Sequence, residues 1–163
     1  MNYQYLETPI GKLLIAGDGE TVRIIAFPKN GRARDPQPGW IEGSTGATEE
    51  TVRQLREYFA GRRREFELPL DPEGTEFQKN VWRELQGIPY GRTISYGELA
   101  RRIGNPKASR AVGAANGANP IPIVIPCHRV IGANGKLTGF GGGLPIKEKL
   151  LDLESRAVDR VVG

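Results

Sequence analysis

The stretch Ser95-Tyr96-Gly97-Glu98-Leu99-Ala100-Arg101-Arg102-Ile103-Gly104-Asn105-Pro106-Lys107-Ala108-Ser109-Arg110-Ala111-Val112-Gly113-Ala114-Ala115-Asn116 decides how the second half of the chain folds. Ser95 with Glu98 three residues on is a capping box, which predicts a short helix ending at Gly104. Asn105 can cap a further helix whose first position is Pro106, where a missing N–H loses no helical partner. That helix should run to about Asn116. Two short helices joined by Gly104-Asn105 are the sequence pattern of a helix-turn-helix. Ala108, Ala111, Gly113, Ala114 and Ala115 let the second helix lie close to another surface, and Arg110 is its main reaching side chain. An alanine-rich helix packed into its own core would read similarly.

Upstream, Thr75 with Gln78 makes another capping box, and Phe77, Val81 and Leu85 recur every four residues on one helical face. Pro89-Tyr90-Gly91 is a turn. Asp71-Pro72-Glu73-Gly74 breaks all periodicity, which puts a boundary between domains 1–72 and 73–163. The first domain reads as strands: Tyr3 to Thr8, Leu13 to Ala16 and Val22 to Phe27, with turns at Pro9-Ile10-Gly11 and Asp18-Gly19. Pro28 to Gly46 holds three prolines and four glycines and reads as a surface loop. Thr48 to Ala60 is predicted as a helix, with Val52, Leu55 and Phe59 on one face and Gly61 as its stop. Arg64 to Leu68 alternates like a half-exposed strand. The expected fold is therefore α+β: a small sheet-plus-helix (α/β) domain, then a mostly helical, winged-helix-like domain carrying the helix-turn-helix.

With 38% apolar and 26% charged residues, the 163-residue chain has the composition of a globular protein. No apolar run approaches the roughly 20 residues of a membrane helix, and the start lacks a signal-peptide pattern. A lone cysteine fits a reducing cytoplasm. One cysteine and one histidine cannot build a four-ligand Cys/His zinc site; counting leaves a carboxylate-based site open, but no ligand spacing suggests one, and neither metal nor cofactor is expected. Net charge is +4, unevenly placed: residues 1–70 carry ten basic and ten acidic residues, whereas Arg92 to Lys136 carries seven basic and one acidic, Glu98. Such a local excess suits a polyanionic partner, because basic side chains displace condensed counterions from phosphates.

Downstream the chain reads Asn119-Pro120-Ile121-Pro122-Ile123-Val124-Ile125-Pro126-Cys127-His128-Arg129-Val130. Three prolines in seven residues fix backbone angles and remove donors, so this is a stiff support for a nucleophile. Thiolate is the reactive form of cysteine, and the basic neighbours His128 and Arg129 should lower the thiol pKa. Against this stands the common fate of a free cysteine, which is to pack as a small apolar residue. A histidine base needs an orienting acceptor, and Asp152 or Glu154 in the last predicted helix, Leu144 to Glu154, could serve. If the loop is extended, Cys127 and His128 point opposite ways and a water would link them. Gly139-Phe140-Gly141-Gly142-Gly143 could approach a flat ligand closely.

Pro126-Cys127-His128-Arg129-Val130 resembles the active-site signature of the methylated-DNA–protein-cysteine methyltransferases, or 6-O-alkylguanine-DNA alkyltransferases. The resemblance runs from about Thr75 to Glu154 and includes Ile88-Pro89-Tyr90-Gly91, Ser95-Tyr96, Ala108-Ser109-Arg110-Ala111-Val112-Gly113, Asn119-Pro120 and the glycine run. It implies direct-reversal repair: an irreversible, single-turnover transfer of alkyl from 6-O-alkylguanine, and 4-O-alkylthymine, to Cys127. It implies His128 as a base acting through a water, Glu154 as its orienting carboxylate, and Asn119 as the tie between helix-turn-helix and loop. Tyr96 would help rotate the nucleotide and offer its hydroxyl to the guanine, and Arg110 would enter the duplex beside it. Ala108, Ser109, Gly113 and Asn105 would line the DNA contact. Pro122 would wall the base pocket, the carbonyls of Cys127 and Val130 would accept from the guanine amino group, and the Gly141 N–H would face the alkylated oxygen. The implied partner is double-stranded DNA, met through its minor groove by a protein that is a monomer in solution and able to bind cooperatively on DNA. Phe140 departs from the tyrosine of many members, and Gly141 from their serine or alanine.

Overall fold

The computed structural model describes residues 1–135, 140 and 142–162. The chain folds as two compact units, Met1–Glu73 and Gly74–Gly163.

In the first unit, strands β1 (Asn2–Thr8), β2 (Gly11–Asp18), β3 (Thr21–Ala26) and β4 (Ile41–Glu42) form one sheet in the order β3-β2-β1-β4. The β1–β2 and β2–β3 pairs are antiparallel; β4 runs parallel to β1. Leu13, Leu14, Ile15 and Ala16 are all buried, because central β2 is covered on both faces. Helix α1 (Gly46–Phe59) begins two residues before the expected Thr48. Thr45 is its cap and Thr48 the third helical residue of a reciprocal capping box. Its buried face carries Thr51, Val52, Leu55 and Tyr58, so Tyr58 takes the place expected of Phe59. The Tyr58 ring packs against those of Phe59 and Phe66.

Residues 64–68 form no strand. The Gln54 side chain supplies what a neighbouring strand would have: its Nε2 donates to the Glu67 carbonyl at 3.0 Å and its Oε1 accepts the Glu67 N–H at 2.9 Å. With the Glu67 donor and acceptor met by one amide side chain, no ladder partner is needed there.

In the second unit, helix α2 (Glu76–Leu85) starts at the expected Thr75–Gln78 box. Its buried face is Val81, Trp82 and Leu85, while Phe77 stays half-buried. Trp82 Nε1 donates to the Ala115 carbonyl at 2.8 Å. A Cβ on Gly74 would lie 2.5 Å from the Trp82 ring, so only glycine fits there. Strand β5 (Ile94–Ser95) leads into α3 (Tyr96–Arg102), whose cap Ser95 accepts from the Glu98 N–H at 3.0 Å. Gly104 closes α3 at φ 82°.

The second helix of the pair, α4, spans Ser109–Gly117 rather than starting at Pro106. The Asn105 carbonyl takes the Ala108 N–H at 3.0 Å and closes a separate turn. Helical bonding begins with Val112 N–H to Ala108, and Ala108 is the cap, without a side-chain bond. Asn105 therefore caps no helix. The chain then forms a 3-10 turn (Cys127–Arg129), strand β6 (Val130–Ile131) and helix α5 (Leu144–Val162). Parallel pairing of Ile94 with Val130 and Ser95 with Ile131 ties the start of α3 to the end of the 3-10 turn. α5 continues past the expected Glu154: no glycine or proline stops it, and Ala157 prolongs the buried face of Lys147, Leu150 and Glu154. Among the described residues, no helix is long and apolar enough to cross a membrane.

Candidate active site

All ten residues from Ile121 to Val130 are buried. The loop coils rather than extends. The Ile121 carbonyl accepts the Ile125 N–H at 2.9 Å, and Ile123 sits at φ 74°, a strained position for a β-branched residue. Asn119 braces it from inside: Nδ2 donates to the Ile125 carbonyl at 2.8 Å and Oδ1 accepts the Ile121 N–H at 3.0 Å. Pro122 is among the buried residues.

Cys127 opens the 3-10 turn with 4% of its surface exposed. Its thiol is not lowered by basic neighbours, as the sequence suggested, but pushed up to about 11, foremost by burial. A hydrogen bond from Asn119 and the charge of Lys147 only partly oppose this. The physical reason is where the neighbouring cations went. Arg129 gives Nε and Nη2 to the two Glu154 oxygens at 2.8 and 3.0 Å, and Nη1 to the Ile88 carbonyl at 2.7 Å. His128, wholly buried, puts Nε2 2.6 Å from Glu154 Oε2. Both basic groups beside the sulfur are thus turned toward one carboxylate.

Burial would raise the Glu154 pKa, but His128 and Arg129 outweigh it and hold the carboxyl well below its usual range. Burial also pushes His128 down, against the pull of Glu154. Glu154 is therefore the ionised partner, balanced by Arg129, and His128 is neutral at neutral pH. A carboxylate only accepts, so the imidazole proton belongs on Nε2 and the Nδ1 lone pair faces elsewhere. Nδ1 is buried with no protein partner among the described residues. The sequence left Asp152 and Glu154 as alternatives; Asp152 pairs with Arg156 instead, at 2.8 Å.

Two residues escaped the sequence reading. Lys147, with no exposed surface, donates Nζ to the Val130 carbonyl at 2.6 Å. Its ammonium lies 5.9 Å from the ring centres of both Tyr96 and Phe140. The available signal was helical spacing, since Lys147, Leu150 and Glu154 share one face. Asn116, 1% exposed at the end of α4, donates Nδ2 to the Cys127 carbonyl at 3.3 Å. That carbonyl also accepts the Val130 N–H, so both its lone pairs are engaged.

On α4, Arg110 is exposed and Ala108 and Ser109 are half-exposed around an N-terminus that no side chain caps. Asn105 is exposed in the turn before it. Gly113 faces the Tyr96 ring, which a Cβ would meet at 3.8 Å. Gly141 lies outside the described residues.

Fold and site together define a chain with cysteine-centred chemistry on a helix-turn-helix frame: a buried thiol, a neutral imidazole beside it and a carboxylate behind. Residues 76–156 match the model of the 6-O-methylguanine DNA methyltransferase DNA-binding domain, and residues 1–72 that of the ribonuclease-like domain of 6-O-methylguanine DNA methyltransferase. The methylated-DNA–protein-cysteine methyltransferase of Methanosarcina acetivorans is 55% identical over 154 residues, 94% of this chain and 98% of its own. That of Mycolicibacterium paratuberculosis is 52% identical over 96% and 93%. The crystal structure of Mycobacterium tuberculosis OGT in complex with DNA aligns with a TM-score of 0.89 at 48% identity, covering 96% of this chain and 94% of that one. The chain belongs to the 6-O-methylguanine DNA methyltransferase family.

Proposed function

We propose that this protein repairs 6-O-alkylguanine in double-stranded DNA by moving the alkyl group, once and irreversibly, onto Sγ of Cys127. The observation that carries the reading is the buried, unpartnered Nδ1 of a neutral His128 whose other nitrogen is held by Glu154 beside the only cysteine. A thiol raised to about 11 is almost wholly protonated at neutral pH, so it needs a base when substrate arrives. The proton passes from Sγ through a water to Nδ1, and Glu154 stabilises the imidazolium that forms. The sulfur then attacks the alkyl carbon in line: an S–C bond forms, the C–O bond breaks, and its electron pair stays on the guanine oxygen. Tyr96 returns a proton so that guanine leaves neutral. The product is a thioether with no centre for water to attack, and the thiol is not restored.

The lesion oxygen lies within the base stack, so the nucleotide is flipped out at a cost of a few kcal/mol. The exposed Arg110 on α4 fills the gap, with Ala108, Ser109 and Asn105 against the backbone. The uncapped N-terminus of α4 turns free N–H groups toward phosphate. The helix enters the minor groove. Pro122 walls the pocket, the Val130 carbonyl accepts from the guanine amino group, and Asn116 holds the Cys127 carbonyl in register with α4. Unit 74–163 carries both DNA contact and acceptor. The pocket admits 4-O-alkylthymine as a second substrate.

Incubation with a duplex containing 6-O-methylguanine, followed by intact-mass measurement, tests the reading. One methyl per chain, on Cys127 and absent in Cys127→Ser, is expected. Repeated turnover, as from a cysteine hydrolase, or no adduct would refute it. Arg110→Ala should weaken duplex binding while leaving transfer from the free alkylated base nearly unchanged.

A further inference from the structure

A basic cavity lies in the first unit, and none of its lining residues belongs to the site described above. It has a volume of about 430 Å³ and is lined by Lys29, Arg32, Ala33, Arg34 and Asp35. Its wall is stiff. Lys29 and Arg32 exchange backbone hydrogen bonds at 2.8 and 3.1 Å across Asn30 (φ 54°) and Gly31 (φ 75°), a closed two-residue turn of the type I′ kind. The hydroxyl of Tyr5, on β1, donates to the Arg34 carbonyl at 2.7 Å and pins the far side of the loop to the sheet.

Among the described residues, the cations of this cavity share the lack of a nearby carboxylate with the exposed Arg56 and Arg62, and differ in this from four other cations of the same unit. Lys12, Arg23, Arg53 and Arg63 each have a carboxylate within 4.0 Å. Among the described residues, Lys29, Arg32 and Arg34 have none, although Asp35 lines the same cavity. Three cations against one anion, on a wall held by backbone bonds, suit a phosphate group. No aromatic side chain lines the cavity, so it offers no platform on which a base could stack. The chemistry is that of backbone contact without sequence reading.

We propose that this cavity is a second phosphate site, which takes a phosphodiester of DNA and adds to the grip of α4. It rests on DNA being the partner of the chain, and its test is kept separate from repair chemistry. The affinity for undamaged duplex is measured against salt concentration for the parent protein and for the Lys29→Gln/Arg32→Gln/Arg34→Gln variant. Each lost phosphate contact lowers the slope of log affinity against log salt by about 0.9, so a fall of at least that size is expected. Asp35→Asn, which removes the opposing charge, should tighten binding. Transfer from free 6-O-benzylguanine should be equal in all these proteins. An unchanged slope in the triple variant overturns the site. An equal fall after neutralising the exposed Arg56 and Arg62 on the same unit also overturns it, since that reports a diffuse field. Thermal stabilisation of the parent but not the triple variant by millimolar free nucleotide, with unchanged duplex slopes, would assign the cavity to a small ligand and refute the DNA assignment. Failure of the parent to take a methyl group from duplex 6-O-methylguanine would strike the repair reading alone.

Discussion

The two units bury polar groups in opposite ways. In the sheet unit the buried polar side chains are neutral, and each serves the backbone: Thr48 closes the cap of α1, Thr51 donates to the Ala47 carbonyl at 2.8 Å, and Gln54 clamps Glu67. In the helical unit they include His128, Arg129, Lys147 and Glu154, all 5% exposed or less. A buried neutral group is cheap once hydrogen-bonded, whereas a buried charge requires a partner and still loses its hydration. Burying ionisable groups around one thiol is therefore a poor way to gain stability and a good way to set protonation states. The first unit uses polarity to hold its shape; the second gathers ionisable groups around one buried thiol.

The sharpest way to break this contrast is to remove the base. His128→Ala should slow alkyl transfer by roughly 10²- to 10⁴-fold at neutral pH, with much less effect on duplex affinity. Its residual rate should rise about tenfold per pH unit and level near pH 11, where the thiol ionises unaided. A pH-independent loss in single-turnover assays, or an equal loss of DNA binding, would make the histidine merely structural.

Next in size is the carboxylate. Glu154→Leu leaves the Arg129 guanidinium buried without its partner and should cost about 3–5 kcal/mol in denaturant unfolding. Replacing Glu154, Arg129 and His128 together by apolar residues should recover much of that stability while transfer stays lost. If the single change is as mild as a surface substitution, the charges are less confined than the contrast requires.

The thiol makes a smaller and opposite pH signature. Its folded-state pKa of about 11 lies above the ordinary 9.0, so the folded protein holds that proton longer than the unfolded chain. The associated stability is present below about pH 9 and is lost as pH rises toward 11, amounting to about 3 kcal/mol at most. Cys127→Ala should flatten that part of the stability curve; an unchanged slope would refute the burial account. Smallest is the neutral clamp of the first unit. Gln54→Ala should cost only about 1 kcal/mol, because the exposed Glu67 can turn to water, and transfer should be unaffected.

Much of the site was legible because its markers are local. Cys127 and His128 are adjacent in a proline-rich run, and the Ser95 cap and the Thr75 box mark the starts of their helices within four residues, although Glu98 turns to Arg101 and Arg102 and does not complete a box with Ser95. The less local choices came out differently. Phe59 and Tyr58 are neighbours of similar apolarity, and only packing against the sheet and Phe66 selects Tyr58. Residues 64–68 have a strand's alternation, yet Gln54, 13 residues before Glu67, satisfies the backbone first. The α4 start slipped because Asn105 and Pro106 suit a helix N-terminus but also suit the free-standing turn that forms.

By itself the sequence determined the longer strands and helices, the proline-rich run before Cys127 and the residues able to react, since propensity, capping and proline chemistry act over a few positions. Only the tertiary structure decided that Arg129 and His128 turn to Glu154, that Lys147 and Asn116 hold the carbonyls of Val130 and Cys127, and that the thiol pKa rises instead of falling. Those outcomes depend on distances between groups far apart in the chain and on how much water is excluded from them. Charge interaction and desolvation follow position in space, which a residue's place along the chain does not specify.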